Sequence, residues 1–292
     1  MGKALADQFE VCARTFAEAD AALDEPLSEL IFAGPADRLT LTENTQPAIL
    51  TMSIAVYRLL EEKGVRPAFV AGHSLGEYSA HVAAGTFSFA DAVRLVRNRG
   101  RYMQQATPVG SGAMAAILGL DEVGVNQACA EAAQGEVVSA ANLNGAGQIV
   151  IAGAAAAVAR ASERAKALGA KRALPLPVSA PFHCALMKPA EDRLAPELRA
   201  VSAQDPRMPV VANVDAEPKR TAQASIDALI RQVSSPVRWE DVVRRLASEG
   251  VTRYVEVGPG KTLSGMIKRI VSGAVIHNVE GPGDLAAIEA LS

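Results

Sequence analysis

The sequence predicts an α/β protein whose main domain is interrupted by a smaller unit. Predicted strands alternate with predicted helices in the main domain, which is typical of a parallel sheet covered by helices. Residues 112–178 instead contain strand and helix patterns in the order β-α-β-β-α-β, which is the order of a ferredoxin-like module. The predicted domains are therefore residues 1–110 together with 180–292, and residues 111–179 between them.

Apolar periodicity and turn residues place the predicted elements in order along the chain. The main domain begins with helices over residues 3–24 and after Pro47, a strand at Ala68–Ala71, the turn Gly72-His73-Ser74-Leu75-Gly76, and helices over Glu77–Ala84 and Ala90–Gln105. The inserted unit has predicted strands at Met114–Leu120, Val137–Leu143, Gln148–Ala152 and Lys171–Val178, and predicted helices at Val123–Ala133 and Ala155–Leu168. The main domain resumes with strands at Val210–Asn213 and Thr252–Val257 and helices at Ser225–Val233 and Val237–Ser248.

Composition excludes several classes of protein. Hydrophobic residues make up 49% of the 292, enough for a buried core, and the net charge of −3 argues against nucleic acid or anionic membranes as partners. The three scattered cysteines suit a reducing compartment, and no apolar run approaches the roughly 18 residues of a membrane span. The N-terminus has no apolar core like that of a signal peptide. We therefore expect a cytoplasmic protein, and we expect no metal because no metal-ligand spacing occurs.

The turn Gly72-His73-Ser74-Leu75-Gly76 has the pattern Gly-x-Ser-x-Gly. A nucleophile at a tight strand-to-helix turn needs small neighbours, and the N–H groups that begin the following helix can stabilise an oxyanion. Ser74 is therefore the candidate nucleophile. The alternative is a glycine-rich turn that contains an incidental serine.

A serine nucleophile needs a base, and the chain has four histidines. His73 is too close to Ser74 in sequence to face its hydroxyl, and His81 is predicted to lie on the surface of the next helix. His277 is predicted to lie in a C-terminal strand. His183 stands where the inserted unit returns to the main domain, and clefts form at such junctions. His183 is therefore the candidate base, with a packed histidine as the alternative, and no carboxylate stands out as its orienting partner.

The predicted helix over Ala90–Gln105 carries four arginines. At about 100° per residue, Arg94, Arg97 and Arg101 point away from the apolar face and are expected to be solvated. Arg99 falls at the edge of that face, where an arginine needs an anionic partner. The partner is either a protein carboxylate in a structural salt bridge or a substrate carboxylate held bidentately, and periodicity favours neither.

Several motifs together resemble those of one enzyme family. They are Gly72-His73-Ser74-Leu75-Gly76-Glu77-Tyr78-Ser79-Ala80, Thr45-Gln46-Pro47-Ala48, Arg99-Gly100, Pro181-Phe182-His183-Cys184 and Glu256-Val257-Gly258-Pro259-Gly260-Lys261. In this combination the chain resembles the malonyl-CoA:acyl carrier protein transacylases of type II fatty acid synthesis, over nearly its whole length. The resemblance implies an α/β hydrolase-like core with an inserted ferredoxin-like subdomain.

The resemblance also implies a role for each matching residue. Ser74 would take the malonyl group, His183 would act as its base, and Arg99 would bind the malonyl carboxylate. Gln232 occupies the position at which an amide or main-chain oxygen orients the histidine in place of an aspartate. The main-chain N–H of Leu75 would supply half of the oxyanion hole.

The implied reaction transfers malonyl from malonyl-CoA to the phosphopantetheine thiol of acyl carrier protein, through a malonyl-serine ester, for fatty acid biosynthesis. Phe182 resembles the residue of malonyl-selecting rather than methylmalonyl-selecting members. The implied partners are malonyl-CoA or CoA and acyl carrier protein. The resemblance implies no cofactor, and we expect the chain to be a monomer.

Two other functions stay open at this point. A serine hydrolase with the same core would need an acid partner for the histidine and would not need Arg99. A paralogue that only binds carrier protein would need no complete oxyanion hole. Family members begin with a short strand and Gly-Gln-Gly-Ser-Gln, whose glutamine gives the second oxyanion N–H, whereas this sequence opens on a predicted helix. We therefore expect a start at an internal methionine or a truncated chain, slower and less stable than a longer one.

Overall fold

A computed structural model describes residues 1–108, 110–178 and 180–286 and has a mixed α/β fold. Helices dominate the chain up to residue 62, and strands and helices alternate through most of the chain after residue 70. The predicted ends of the inserted unit at residue 179 and of the main domain at residue 292 lie outside the described residues.

The helices and strands have these bounds. The α-helices are α1 Lys3–Gln8, α2 Glu10–Leu23, α3 Leu27–Ala33, α4 Ala36–Leu39, α5 Thr42–Glu62, α6 Leu75–Ala83, α7 Phe89–Gln105, α8 Glu122–Ala133, α9 Ala155–Ala167, α10 Lys188–Ala200, α11 Ala222–Gln232, α12 Trp239–Ser248 and α13 Thr262–Ile270. The strands are β1 Val70–Ala71, β2 Gly112–Leu118, β3 Val138–Leu143, β4 Gln148–Ala154, β5 Arg172–Pro175, β6 Val210–Val211, β7 Pro218–Lys219, β8 Arg253–Val257 and β9 Val275–Val279. Short 3-10 helices lie at Ala185–Met187 and Pro282–Asp284.

The N-terminal helices differ from the prediction, which contains neither α3 nor α4. The predicted helix over residues 3–24 is two helices, because Phe9 is extended (φ −128°, ψ 118°) and separates α1 from α2. The helix predicted to follow Pro47 begins earlier, at Thr42, and includes Pro47. Pro47 is the sixth residue of this helix and removes one intrahelical hydrogen bond, and burial of the residues on both sides of it keeps the helix continuous.

The largest apolar core lies among the helices of the main domain. Phe16 of α2, Ile54 of α5 and Val96 of α7 are buried in it, together with Tyr78 of α6 and Leu194 of α10. Burying each large apolar side chain stabilises the fold by about 1.5–3 kcal/mol. This core fixes α6 against α7. In the described part of the chain, no helix combines the length and apolar character that crossing a bilayer requires.

The strands of the main domain form two small sheets. In the first, β1 pairs in parallel with β6, and β6 pairs antiparallel with β7. In the second, β8 and β9 are parallel. The parallel pairs agree with the predicted alternation, whereas β7 was not predicted. Because β1 and β6 are parallel, their carboxyl ends meet at one edge of the sheet, where the chain continues into Ser74 and Asn213.

The inserted unit has the predicted element order, β2-α8-β3-β4-α9-β5, and its strands lie side by side in the order β3-β4-β2-β5. Alternate residues of β2 point to opposite faces of this antiparallel sheet. Ile117 is buried in the core that α8 and α9 cover. Met114 and Ala116 are buried on the other face, against Phe182 and Cys184 of the main domain. The second face of the sheet is therefore turned towards the main domain.

Candidate active site

Ser74 lies in the turn between β1 and α6. Its φ of 52° is positive and its ψ is −106°, a combination that a residue other than glycine adopts only where its surroundings hold it. A Cβ on Gly72 would lie 2.1 Å from the main chain of Gly76, so position 72 requires glycine. Asn213, which follows β6, accepts a hydrogen bond from the Ser74 N–H (2.7 Å) and donates one to the Gly72 carbonyl (2.8 Å). The predicted strand-turn-helix is present, and an asparagine beside the neighbouring strand braces it.

The ring of His183 lies against the Ser74 hydroxyl. Its Nε2 is 2.7 Å from Ser74 Oγ, and its Nδ1 is 3.0 Å from the main-chain oxygen of Gln232. Because a carbonyl oxygen only accepts, Nδ1 carries the hydrogen and Nε2 offers its lone pair to the hydroxyl. Burial, together with the charge of Arg99, lowers the pKa of His183 to about 3, so the ring is neutral at pH 7. The two residues predicted as nucleophile and base lie in hydrogen-bond contact.

Arg99 is 2% exposed and reaches the same hydroxyl. Its guanidinium donates to Gln46 Oε1 (2.7 Å), Gln232 Oε1 (2.9 Å) and Ser74 Oγ (3.1 Å). It also lies over the ring of Tyr78, 5.5 Å from the centroid. Its hydrogen-bond acceptors are all neutral oxygens, and Arg99 forms no salt bridge within the residues that the structure describes. A buried guanidinium beside the hydroxyl is therefore left without a carboxylate in contact.

Two expectations about exposure were wrong. Arg97, predicted to be solvated, is 5% exposed and donates to Glu25 (2.9 Å) and to Asn44. A helical wheel contains only the residues of α7, so it does not show that the N-terminal segment covers the side of α7 on which Arg97 lies. His81, predicted to lie on a helix surface, is fully buried and 3.2 Å from the Thr86 hydroxyl, because α6 is buried on nearly all sides.

A cleft of about 280 Å³ opens at the junction of the main domain and the inserted unit, where the sequence predicts one. Its lining includes the polar side chains of Ser74, His183 and Arg99. It also includes the apolar side chains of Met114, Leu176, Val178 and Phe182. The cleft can therefore bind a ligand that is apolar along its length and anionic where it meets Arg99.

Leu75 and Phe182 also line the cleft. Leu75 is the first residue of α6, and its N–H makes no hydrogen bond to the part of the chain that the structure describes. An N–H in this position points along the helix axis towards the site and carries the positive end of the helix dipole. Within the described residues, no three His, Cys, Asp or Glu side chains are grouped as metal ligands would be.

Three buried polar residues of the site were not predicted to have a role. Asn213 braces the elbow, Gln46 accepts from Arg99, and Glu77 accepts from Gln232 Nε2 (2.8 Å). Gln46 and Glu77 belong to motifs that carry the family resemblance, and that was the only signal for them. Their contacts join elements far apart in the sequence, so helix and strand patterns do not reveal them.

Comparison with known proteins decides the family. The sequence matches the acyl transferase domain family over residues 1–280, which is most of the chain. The chain belongs to this family.

Curated relatives carry one shared name. The chain is 52% identical over 284 residues to a malonyl CoA-acyl carrier protein transacylase of Escherichia coli K12. The aligned residues make up 97% of this chain and 92% of the E. coli protein. It is 53% identical over 272 residues to the protein of the same name from Bacillus subtilis. Here the aligned residues make up 92% of this chain and 86% of the B. subtilis protein.

Solved structures of the family have the same fold. An acyl carrier protein S-malonyltransferase from Vibrio cholerae superimposes with a TM-score of 0.97 at 49% identity, over 99% of this chain and 94% of that one. A malonyl-transacylase solved in complex with its type II PKS acyl-carrier protein also gives a TM-score of 0.97, at 47% identity, over 100% of this chain and 95% of that one.

Proposed function

We propose that this acyltransferase moves the malonyl group from malonyl-CoA to the phosphopantetheine thiol of an acyl carrier protein, in fatty acid biosynthesis. The environment of Arg99 supports this proposal most strongly. Arg99 is buried in the cleft, 3.1 Å from Ser74 Oγ, and its acceptors are neutral oxygens. A substrate that bears a carboxylate one methylene group away from its reacting carbonyl, as malonyl does, satisfies both the guanidinium and the hydroxyl.

The first half of the reaction acylates Ser74. His183 Nε2 takes the hydroxyl proton while Ser74 Oγ attacks the thioester carbonyl of malonyl-CoA. When the tetrahedral intermediate collapses, the carbon–sulfur bond breaks, His183 returns the proton to the CoA sulfur, and the malonyl group stays on Ser74 as an ester. In the second half, the carrier's thiol gives its proton to His183 and attacks that ester, and Ser74 regains its proton. Atoms and protons balance without a cofactor.

The oxyanion of each tetrahedral intermediate needs hydrogen-bond donors that are already in place. We assign one donor to the main-chain N–H of Leu75, at the start of α6 and beside Ser74. The positive end of the α6 dipole adds to the stabilisation. The main-chain carbonyl of Gln232, which accepts from His183 Nδ1, would stabilise the imidazolium that forms in both half-reactions.

Selection among acyl groups would come from polar and apolar side chains that line the cleft. Arg99 favours an acyl group with a free carboxylate over acetyl, because the guanidinium already lies in a desolvated site. Phe182 also lines the cleft, and its ring would occupy space that a methyl branch on the malonyl carbon needs. Both properties favour malonyl over acetyl and methylmalonyl.

We also propose the domain division that the sequence predicts. Residues 1–110 and 180–292 would form an α/β hydrolase-like core, and residues 111–179 a ferredoxin-like subdomain. The order of elements and the strand order β3-β4-β2-β5 support the second assignment. The three cysteines are buried and free, which suits a cytoplasmic enzyme, and we expect it to act as a monomer.

Intact-mass spectrometry tests this function. After mixing with malonyl-CoA, the wild-type chain should gain one malonyl mass and lose it again when the holo carrier protein is added. Ser74→Ala should gain no mass, whereas the control Ser79→Ala, which removes a buried hydroxyl from the same helix, should still be labelled. Labelling that persists in Ser74→Ala, for instance at Cys184, would contradict the assignment. Loss of the adduct to water at the same rate without carrier protein would favour a hydrolase.

A further inference from the structure

Glu77 is a fully buried carboxyl group close to the site, and the proposed reaction does not use it. It lies in the first turn of α6, three residues after Ser74. Its Oε2 accepts from the Asn213 N–H (3.0 Å) and from Gln232 Nε2 (2.8 Å). Its Oε1 has no hydrogen-bond partner among the described residues. Burying a carboxyl group without a cation in contact lowers the stability of the fold. We therefore looked for a role of Glu77 in the contacts that it makes.

Gln232 links Glu77 to the reacting groups. Its Nε2 donates to Glu77 Oε2 and to the Ser74 carbonyl (2.9 Å), and its Oε1 accepts from Arg99 Nη2 (2.9 Å). The same Nη2 donates to Ser74 Oγ. One side-chain amide therefore lies between the buried carboxyl group and the guanidinium that we assign to the malonyl carboxylate.

The orientation of this amide decides whether Arg99 is held in place. Arg99 only donates, so it is satisfied by Gln232 Oε1 and repelled by an NH₂ group. Glu77 Oε2 already accepts from the Asn213 N–H, so it presents a lone pair to Gln232. Burial raises the pKa of Glu77 to about 7. The ionised carboxylate accepts through Oε2, and the protonated acid does so as well when its proton sits on the unpartnered Oε1. Glu77 therefore keeps Nε2 on its own side and Oε1 facing Arg99.

We propose that Glu77 is a positioning residue, which fixes the side-chain amide of Gln232 and, through that amide, holds Arg99 against Ser74 Oγ. The proposal rests on the proposed malonyl transfer, because it assigns the effect of Glu77 to the group that binds the malonyl carboxylate. It requires only the acceptor oxygen of Glu77. An amide in its place would keep much of the effect, and an alkyl group would lose it.

Two substitutions separate the acceptor from the space that it fills. In Glu77→Leu the acceptor is gone, and we expect malonyl transfer to fall about ten- to a hundred-fold, with a raised KM for malonyl-CoA and a smaller loss of acetyl transfer. In Glu77→Gln an acceptor oxygen remains, and the malonyl loss should be smaller than in Glu77→Leu. Glu197→Leu is the control, because Glu197 accepts from Asn98 and Tyr102 rather than from the site. Any loss there should affect malonyl and acetyl transfer equally.

Equal losses of malonyl and acetyl transfer in Glu77→Leu would overturn the proposal, since they indicate a structural role. A Glu77→Gln loss as large as that of Glu77→Leu would overturn it too. If Glu77→Leu does not fold, Gln232→Leu tests the same link, and an unchanged ratio of malonyl to acetyl transfer in that variant would overturn the proposal.

A crystal structure of Glu77→Leu gives a readout that is independent of the substrate. We expect the Gln232 amide to have turned and the contact between Arg99 Nη2 and Ser74 Oγ to be lost. An unchanged contact would overturn the positioning role. If the wild-type chain transfers no malonyl, the proposed function fails, and this structure still decides whether Glu77 positions Arg99.

Discussion

Two buried arginines, two residues apart on α7, lie in different environments. Arg97 ends at Glu25 and Asn44 in the N-terminal part of the chain, so its charge has a protein carboxylate. Arg99 ends in the cleft among the oxygens of Gln46, Gln232 and Ser74. Both guanidiniums are desolvated, and only the first has an anion in contact. On this difference we propose that Arg97 stabilises the fold and that Arg99 binds an anionic ligand.

The largest expected effect concerns the base that lies beside Arg99. We expect His183→Ala to slow acylation by malonyl-CoA by about two to four decades, because the neutral ring that accepts the Ser74 proton is lost. The measurement is the rate at which the malonyl mass appears on the protein. His277→Ala, in β9, is the control and should acylate at the wild-type rate. A loss of less than ten-fold in His183→Ala would mean that another group accepts the proton.

Removing Arg97 should lower stability and leave selectivity unchanged. Arg97→Ala leaves the buried Asn44 Oδ1 without its donor, which costs about 1–3 kcal/mol of the free energy of unfolding. Denaturant unfolding measures that loss. The ratio of malonyl to acetyl transfer should stay at the wild-type value, and a changed ratio would remove the distinction between the two arginines.

The pH dependence gives a smaller effect that also separates the two arginines. Burial and the Arg99 charge disfavour the protonated form of His183, so its pKa lies below the ordinary value of about 6.5. Since a protonated ring cannot accept the Ser74 proton, activity is lost as the pH falls through this pKa. Arg99→Ala removes a repelling cation, so the acid limb of acetyl transfer should move to higher pH.

Arg97→Ala is the control for this shift and should leave the acid limb where it is. The measurement is kcat/KM for acetyl transfer between about pH 2 and 8, a range that includes the His183 pKa of about 3. An acid limb that lies at the same pH in wild type and Arg99→Ala would show that Arg99 does not act on His183.

The features that could be predicted from the sequence are local. The strand, tight turn and helix around Ser74 follow from glycines and apolar residues within about fifteen positions, and the structure has all three. The place of His183 follows from the junction of the inserted unit. The element order of that unit follows from its own strand and helix patterns, because each of its elements packs against a neighbour in the same segment.

The features that were missed depend on contacts between distant segments. The burial of Arg97 and His81 depends on which elements cover α7 and α6, and a helical wheel contains no such information. Gln232 was placed by resemblance, with an amide or a main-chain oxygen as the orienting group, and in the structure the main-chain oxygen contacts His183. Asn213 and Glu77 meet across 136 positions, so no local pattern could pair them.

Arg99, unlike Arg97, is proposed to bind the carboxylate of the acyl group. The most direct test is the ratio of malonyl to acetyl transfer in wild type, Arg99→Ala and Arg97→Ala. We predict that Arg99→Ala loses about 2–5 kcal/mol of malonyl transition-state binding, a fall of about 30-fold to several thousand-fold, and keeps acetyl transfer. Arg97→Ala should keep the wild-type ratio. Equal losses of both activities in Arg99→Ala would contradict the claim and make Arg99 a structural residue.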